Sequence, residues 1–225
     1  MRFPKKENLD FPEHIDSSPH VYRSMIMGPL YRKKLALLTD YLPELKTKRV
    51  LEIGFGSGIA LPELSERSDE VCALDVHDHF TPVQNMLVKE NLKNVRLYKH
   101  DIFAEPFRAE GDFDFVVASS VFEHIPENLI GRGLKNIYNC LNPDGYLLIG
   151  FPLKSRAMNT LFDLYERTIQ KVRKGVYNFS HKDDHPSGEK EIIPQLIEFF
   201  TIEDRKYLMN RFLKLYIVLK CKKVA

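Results

Sequence analysis

A short apolar run that ends in three closely spaced glycines constrains this chain more than any other stretch: Arg49-Val50-Leu51-Glu52-Ile53-Gly54-Phe55-Gly56-Ser57-Gly58. Residues 50–53 have the composition of a buried parallel strand. Beyond the glycines, the spacing of Ile59, Leu61 and Leu64 predicts a helix with Ser57 placed to cap it, so the glycines occupy a strand-to-helix turn. Glycine suits such a turn because it accepts positive φ and has no side chain to hold a ligand off the backbone. The helix behind it offers free N–H groups and a partial positive charge.

Dinucleotide-binding folds use a related turn, but their third glycine belongs where this chain has Ile59. Here the pattern is GxGxG, and a second strand over residues 70–74 ends at the acid Asp75. This combination resembles the class I methyltransferases that use S-adenosylmethionine (SAM). The resemblance implies an α/β fold: a Rossmann-like, seven-stranded, mostly parallel sheet with an antiparallel C-terminal hairpin and helices on both faces. It also implies that Asp75 accepts the two ribose hydroxyls of the cofactor, with Glu52, Gly54, Gly56, Gly58 and Val76 lining the same site.

Over 225 residues the chain has 33 basic and 31 acidic side chains, too even a balance for a general nucleic-acid-binding surface. No apolar run approaches the ~20 residues that span a bilayer, and the first residues lack the apolar core of a signal peptide, so a cytoplasmic location is expected. Cys72, Cys140 and Cys221 lie in apolar segments without metal-type spacing and read as buried free thiols.

Residues 1–29 read as an N-terminal arm, its first twenty residues irregular, and residues 30–225 as a single domain. A helix over residues 30–42 precedes the first strand, where the family often covers its cofactor pocket. Tyr22, Arg23, Tyr31 and Arg32 are candidate contacts for the SAM carboxylate or the acceptor. Thr81-Pro82 reads as a helix start with threonine as cap, and residues 95–98 as the third strand. By the resemblance, Asp101 meets the adenine amino group, and Ile102 follows it at the same site. The stretch from Phe113 to Ile125 is a strand apolar on both faces with a polar tail. In the family, the positions of Ser119 and Ser120 touch the methionine part of SAM. A helix over residues 126–141, a type I turn at Asn142-Pro143-Asp144-Gly145 and a strand over 146–150 follow.

Residues 152–188 depart from the family pattern. Their apolar helical stripe and excess of Lys and Arg read either as a helix packed on the domain or as a lid over an anionic or amphiphilic acceptor, with peripheral membrane contact in the second case. At the end of the chain, residues 192–200 suggest a helix that Pro194 starts or kinks, residues 202–208 a polar edge strand, and residues 213–219 a buried one. The last strand is expected between the fifth and the sixth, as in the family.

The resemblance implies in-line transfer of the SAM methyl group to an O or N nucleophile of a small or lipid-linked molecule, leaving S-adenosylhomocysteine. His124, after the fourth strand, is the candidate base or acceptor-orienting group, since an unperturbed imidazole titrates near ~6.5. No metal is expected: His77-Asp78-His79, and His181 with Asp183, Asp184 and His185, lack a recognised ligand spacing. The competing readings are a SAM-fold protein that binds or regulates without catalysis, and a nicotinamide-dependent oxidoreductase, which Ile59 disfavours.

Overall fold

A computed structural model describes residues 1–12, 16, 18–25, 27–108, 111–153, 185–209 and 214–224. Seven strands form one sheet: β1 (Thr47–Ile53), β2 (Ser68–Asp75), β3 (Val95–Lys99), β4 (Phe113–Ser119), β5 (Leu141–Pro152), β6 (Phe200–Met209) and β7 (Lys214–Lys223). Their order across the sheet is β3-β2-β1-β4-β5-β7-β6. The first five strands pair in parallel, and β7 runs antiparallel between β5 and β6. This is the sheet the resemblance implies, with the last strand where it was expected. The order in which strands are added reverses between β1 and β4, which run parallel, so the C-terminal ends of these two strands border the crevice where open α/β sheets take ligands.

Alternate residues of each central strand go to opposite faces. Leu51, Ile53, Val116, Ala118, Leu147 and Ile149 pack with Ile130, Leu134 and Ile137 of α5 (Glu127–Cys140) and with Ile192 and Leu196 of α6 (Glu189–Leu196). Val50, Phe115, Val117 and Leu148 pack on the other face. Their partners there are Leu35 and Leu38 of α2 (Met27–Thr39), Leu61 and Leu64 of α3 (Leu61–Arg67), and Val83 and Met86 of α4 (Phe80–Lys89). Each such Val, Leu, Ile, Phe or Met side chain, fully buried, contributes about 1.5–3 kcal/mol. By this alternation Glu52 and Ser119 face the α2 side, away from α5.

Asp114 clamps the sheet at the end opposite the glycine turn. Its Oδ2 accepts from Thr47 Oγ1 (2.7 Å), Lys48 N (2.9 Å) and Arg49 N (3.0 Å), and its Oδ1 accepts from Asn142 Nδ2 (2.8 Å). Burial works against the charged carboxylate, but these donors outweigh it and hold the carboxyl below its usual range.

The N-terminal residues lie over α3 and α4. The Arg2 main chain donates to Glu63, its guanidinium meets Glu66 (2.9 Å), and Glu90 accepts from Lys5 N (2.8 Å) and Asn8 Nδ2 (2.7 Å). They are less irregular than expected, with a 3-10 turn at Lys6–Asn8 and α1 at Ser18–Arg23.

Several local expectations are corrected. Ser57 caps no helix: Gly58 N donates to Phe55 O (2.7 Å) in a further turn, and α3 begins only at Leu61, after Ala60. Thr81 is not a cap either, because α4 starts one residue earlier, at Phe80. The Asn142–Gly145 turn is instead a bulge within β5: Phe113 pairs with Leu141 and Phe115 with Tyr146, so the intervening residues loop out opposite Asp114. The helix expected over 192–200 ends at Leu196, with Pro194 in its last turn, and Phe200 already belongs to β6. The three cysteines are buried free thiols. Among the described residues no helix is long and apolar enough to cross a membrane. Most of the 152–188 segment, with His181, Asp183 and Asp184, lies outside them.

Candidate active site

Acids fasten the glycine turn. Gly54, Gly56 and Gly58 have φ of +73°, +50° and +77°, conformations that a side-chain-bearing residue adopts only under strain. Asp75, at the end of β2, reaches across to accept from Gly56 N through Oδ2 (2.8 Å), while its Oδ1 accepts from Val76 N (2.7 Å) and His77 N (3.3 Å). His77 lies against Phe11, Phe55 and Phe80, and its Nε2 meets Gly56 O (3.1 Å). Asp16 of the N-terminal segment closes the turn from outside: its Oδ2 accepts from Ser57 N (2.9 Å) and its Oδ1 from Ser18 N (2.8 Å). Sequence reasoning missed Asp16, since no spacing links it to the turn.

Glu52 stands in the wall behind the turn. It is 5% exposed, and among the described residues its Oε2 has no hydrogen-bond partner. Burial, and then the charge of Asp75, push its carboxyl up to about 8. The folded protein therefore keeps this proton up to about pH 8, whereas the unfolded chain releases it near ~4.5. The stability that follows is fully present below ~4.5 and lost as pH rises through about 8. Thermal melts of the ligand-free protein should accordingly show stability falling across this window, at most by about 1.4 kcal/mol per pH unit from this group. Glu52→Gln, which carries no titrating proton, should flatten that part of the profile; an unchanged profile would remove Glu52 as its cause.

The opposite wall comes from α2, β4 and β7. Lys34 Nζ donates to Ser120 Oγ (3.1 Å) and lies over the rings of Tyr31 (4.4 Å to the centroid) and Tyr216 (5.2 Å). The Tyr216 hydroxyl shares hydrogen bonds with Ser119 Oγ (3.2 Å) and Ser120 Oγ (3.1 Å). It can reach them because Gly150 leaves space on β5: a Cβ there would stand 2.8 Å from the tyrosine oxygen. Burial lowers Lys34 to about 8, against the charges of Glu123 and Asp16. Burial also raises Tyr216 and Tyr31 above the usual tyrosine range. Neither Lys34 nor Tyr216 was marked in the sequence. Lys34 sits within an ordinary amphipathic helix and Tyr216 within a strand that alternates apolar residues; only the smallness of Gly150 hinted that something crosses it.

Of the other expected residues, Asp101 is exposed and accepts from Phe103 N (2.9 Å), Ile102 is 1% exposed in the core beneath it, and the Val76 side chain is 62% exposed. Tyr31 belongs to the pocket wall. Tyr22 and Arg23 do not: the Tyr22 hydroxyl donates to Pro4 O (3.1 Å), Arg23 bonds the carbonyls of Lys6 and Leu9, and Arg32 stacks over Tyr22. His124 is exposed in the 3-10 turn Phe122–His124 that follows β4, beside buried Glu123.

The arrangement gathers three carboxyl groups, Asp16, Glu52 and Asp75, around a glycine turn whose Ser57 and Gly56 N–H groups Asp16 and Asp75 take up. It suits a ligand that carries both ribose-type hydroxyls and positive charge. Among the described residues the unpartnered oxygen of Glu52 calls for a donor or a cation.

Comparison with known proteins gives the chain's family and the likeness of its fold. Residues 27–186 match a methyltransferase-domain family. A protein-L-isoaspartate O-methyltransferase of Bradyrhizobium is 33% identical over 115 residues, 51% of this chain and 49% of that protein. A malonyl-[acyl-carrier protein] O-methyltransferase of Bacillus cereus is 28% identical over 116 residues, 51% of this chain and 41% of that protein. The chain thus spans about half the length of the curated relatives it matches, or less. In fold it is similar to the N-methyltransferase NodS from Bradyrhizobium japonicum, solved with S-adenosyl-L-homocysteine, with a TM-score of 0.65 and 16% identity over 95% of this chain and all of that one.

Proposed function

The chain belongs to the methyltransferase-domain family, and from that premise and the carboxyl groups around its glycine turn we propose that it transfers the methyl group of SAM to an O or N nucleophile of a small or lipid-linked molecule, releasing S-adenosylhomocysteine. SAM brings a methyl group already activated by a sulfonium charge, so in-line displacement by the acceptor suffices. The chain's own task is to bind, to align and to exclude water, and such positioning is worth about 7–11 kcal/mol of barrier. Gly54, Gly56 and Gly58 present the main chain; Asp75 takes the ribose hydroxyls, with Val76 beside it. Asp101 and Ile102 border the adenine, while Glu52 and Ser119 meet the methionine end. The single observation that carries the reading is Glu52: a buried carboxylate oxygen without a partner, behind a glycine turn, is a site for a cationic group.

The acceptor side is formed by Lys34, Tyr31, Tyr216 and Ser120. Lys34 and Tyr216 are donors, which favours an acceptor bearing oxygen, anionic ones included. A base is needed only where the acceptor arrives protonated; His124 stands at the rim for that task, and Lys34, brought down to about 8, stands inside.

Calorimetric titration with SAM and S-adenosylhomocysteine tests the reading. Wild type should bind both and, near pH 6.5, release close to one proton as Glu52 ionises against the bound cation. That release shows as a dependence of the heat on the buffer's ionisation enthalpy. Gly56→Val should abolish binding, because its side chain would sit at φ +50° with Cβ 2.8 Å from Asp16 Oδ2. Folded wild type that binds neither ligand would overturn the proposal. Binding without turnover on any acceptor screened with methyl-labelled SAM would point to a non-catalytic SAM-fold protein.

A further inference from the structure

His185 returns from the segment after β5 to the end of β4 and meets a pair of residues that the proposed methyl transfer leaves partly unexplained. One ligand atom each of Glu123, His124 and His185 lies within 4.8 Å of the other two. The two imidazoles meet edge to face, with centroids 4.7 Å apart and planes at 66°. The approach is tied down by main-chain contacts. Ser187, fully buried, donates through N to Glu123 O (3.3 Å) and through Oγ to Ile125 O (2.5 Å), and Gly188 N donates to Glu191 Oε2 (2.7 Å) at the start of α6.

Glu123 supplies a second, independent observation. It is 2% exposed, and among the described residues its Oε2 has no hydrogen-bond partner. An unmet buried acceptor costs about 1–3 kcal/mol, and more when charged. Titratable groups facing it are Lys34 from α2, which donates to Ser120 Oγ, and its neighbour His124. Two imidazoles and a carboxylate form a donor set suited to first-row transition cations, not to magnesium or calcium, which prefer oxygen alone.

We propose that Glu123, His124 and His185 hold one divalent cation of this class, such as zinc, manganese, iron or cobalt. Bonds of about 2.0–2.2 Å require donors about 3–3.5 Å apart. Exposed His124 and half-buried His185 can close that distance by side-chain rotation while Glu123 stays fixed in the core. Three protein donors leave at least one coordination position open, as in catalytic rather than structural metal sites. On the proposed methyl-transfer reading, on which this clause rests, that position takes an acceptor oxygen. A metal-bound His124 cannot also serve as base, so the proposal replaces the role read from the sequence, and it revises the expectation of no metal. The earlier expectation weighed spacing along the chain, whereas this cluster joins two adjacent residues to one far later.

Cobalt(II) is the probe. Titrated into tag-free, chelator-treated full-length protein, it should give visible d–d absorption saturating at one cobalt per chain, displaced by zinc, and should raise the melting temperature. His124→Ala, His185→Ala and the near-isosteric Glu123→Gln should each weaken cobalt binding by about tenfold or more while melting cooperatively. Folded wild type without a cobalt spectrum, or unchanged affinity in the His124→Ala/His185→Ala double variant, would overturn the site. SAM calorimetry on the same metal-free protein separates the two proposals. SAM binding without cobalt binding sinks only the metal site; cobalt binding without SAM binding sinks only the methyl-transfer reading.

Discussion

Asp75→Ala is expected to weaken SAM binding by about a hundredfold to ten-thousandfold. Hydrogen bonds to a charged group are worth about 1.5–3 kcal/mol each, and the proposal gives Asp75 two of them with the ribose, about 3–6 kcal/mol together. The same carboxylate also holds the turn by accepting from Gly56 N, Val76 N and His77 N. Its loss therefore loosens the glycine conformation as well as removing the ribose acceptor. Asp75→Asn separates these parts: the amide oxygen can still accept from the turn, so stability should recover more than affinity does. Because the charge of Asp75 helps to raise Glu52, removal of that charge should also move the Glu52-linked part of the pH profile to lower pH. Calorimetry and thermal melts across pH measure all three effects, and a folded Asp75→Ala protein with wild-type affinity would remove Asp75 from the site.

Gly133→Val is expected to cost about 3 kcal/mol or more, and to lower the melting temperature by about 6–12 °C. A Cβ at Gly133 would lie 2.5 Å from Phe103 Cε1, and closer still to Cδ1. The ring has little room to retreat. Phe103 is 4% exposed and packs edge-on against Phe122 with centroids 5.2 Å apart. Its main-chain N is held by Asp101 Oδ1, and the preceding carbonyl, Ile102 O, accepts from Asn136 Nδ2 (2.8 Å). Replacing a helical glycine by alanine recovers about 1 kcal/mol of helix propensity, which would mask part of the clash. Valine adds bulk and gains less, so the steric cost dominates. The displaced ring would push on residues 101–103, which the proposal sets against the adenine, so SAM affinity should fall with stability. An unchanged melting temperature would show that Phe103 can repack at little cost.

What was legible in the sequence was local. The apolar run at residues 50–53, the glycines with positive φ and the acid that ends β2 are short-range patterns, and each was read correctly because its physical cause lies within a few residues. The same locality explains the failures. Ser57 has the chemistry of a cap, yet Gly58 turns the chain again before a helix can start. Asn142-Pro143-Asp144-Gly145 has the composition of a turn, yet the hydrogen bond from Asn142 to Asp114 draws it into β5 as a bulge.

The sequence by itself determined the buried strands and the glycine turn with its acid, because strand period and glycine backbone freedom are properties of neighbouring residues, and the class of sheet followed from the family resemblance those residues carry. The tertiary structure alone decided the company these groups keep. It set Asp16 on the turn from the arm and brought Lys34 of α2 together with Tyr216 of β7 over the serines of β4. It also buried Glu52 and Glu123 with an oxygen that no described residue meets, and carried His185 back to His124. These meetings depend on which strands lie side by side and on how far helices overhang them, and burial sets the proton affinities only once the packing exists. No spacing along the chain encodes either.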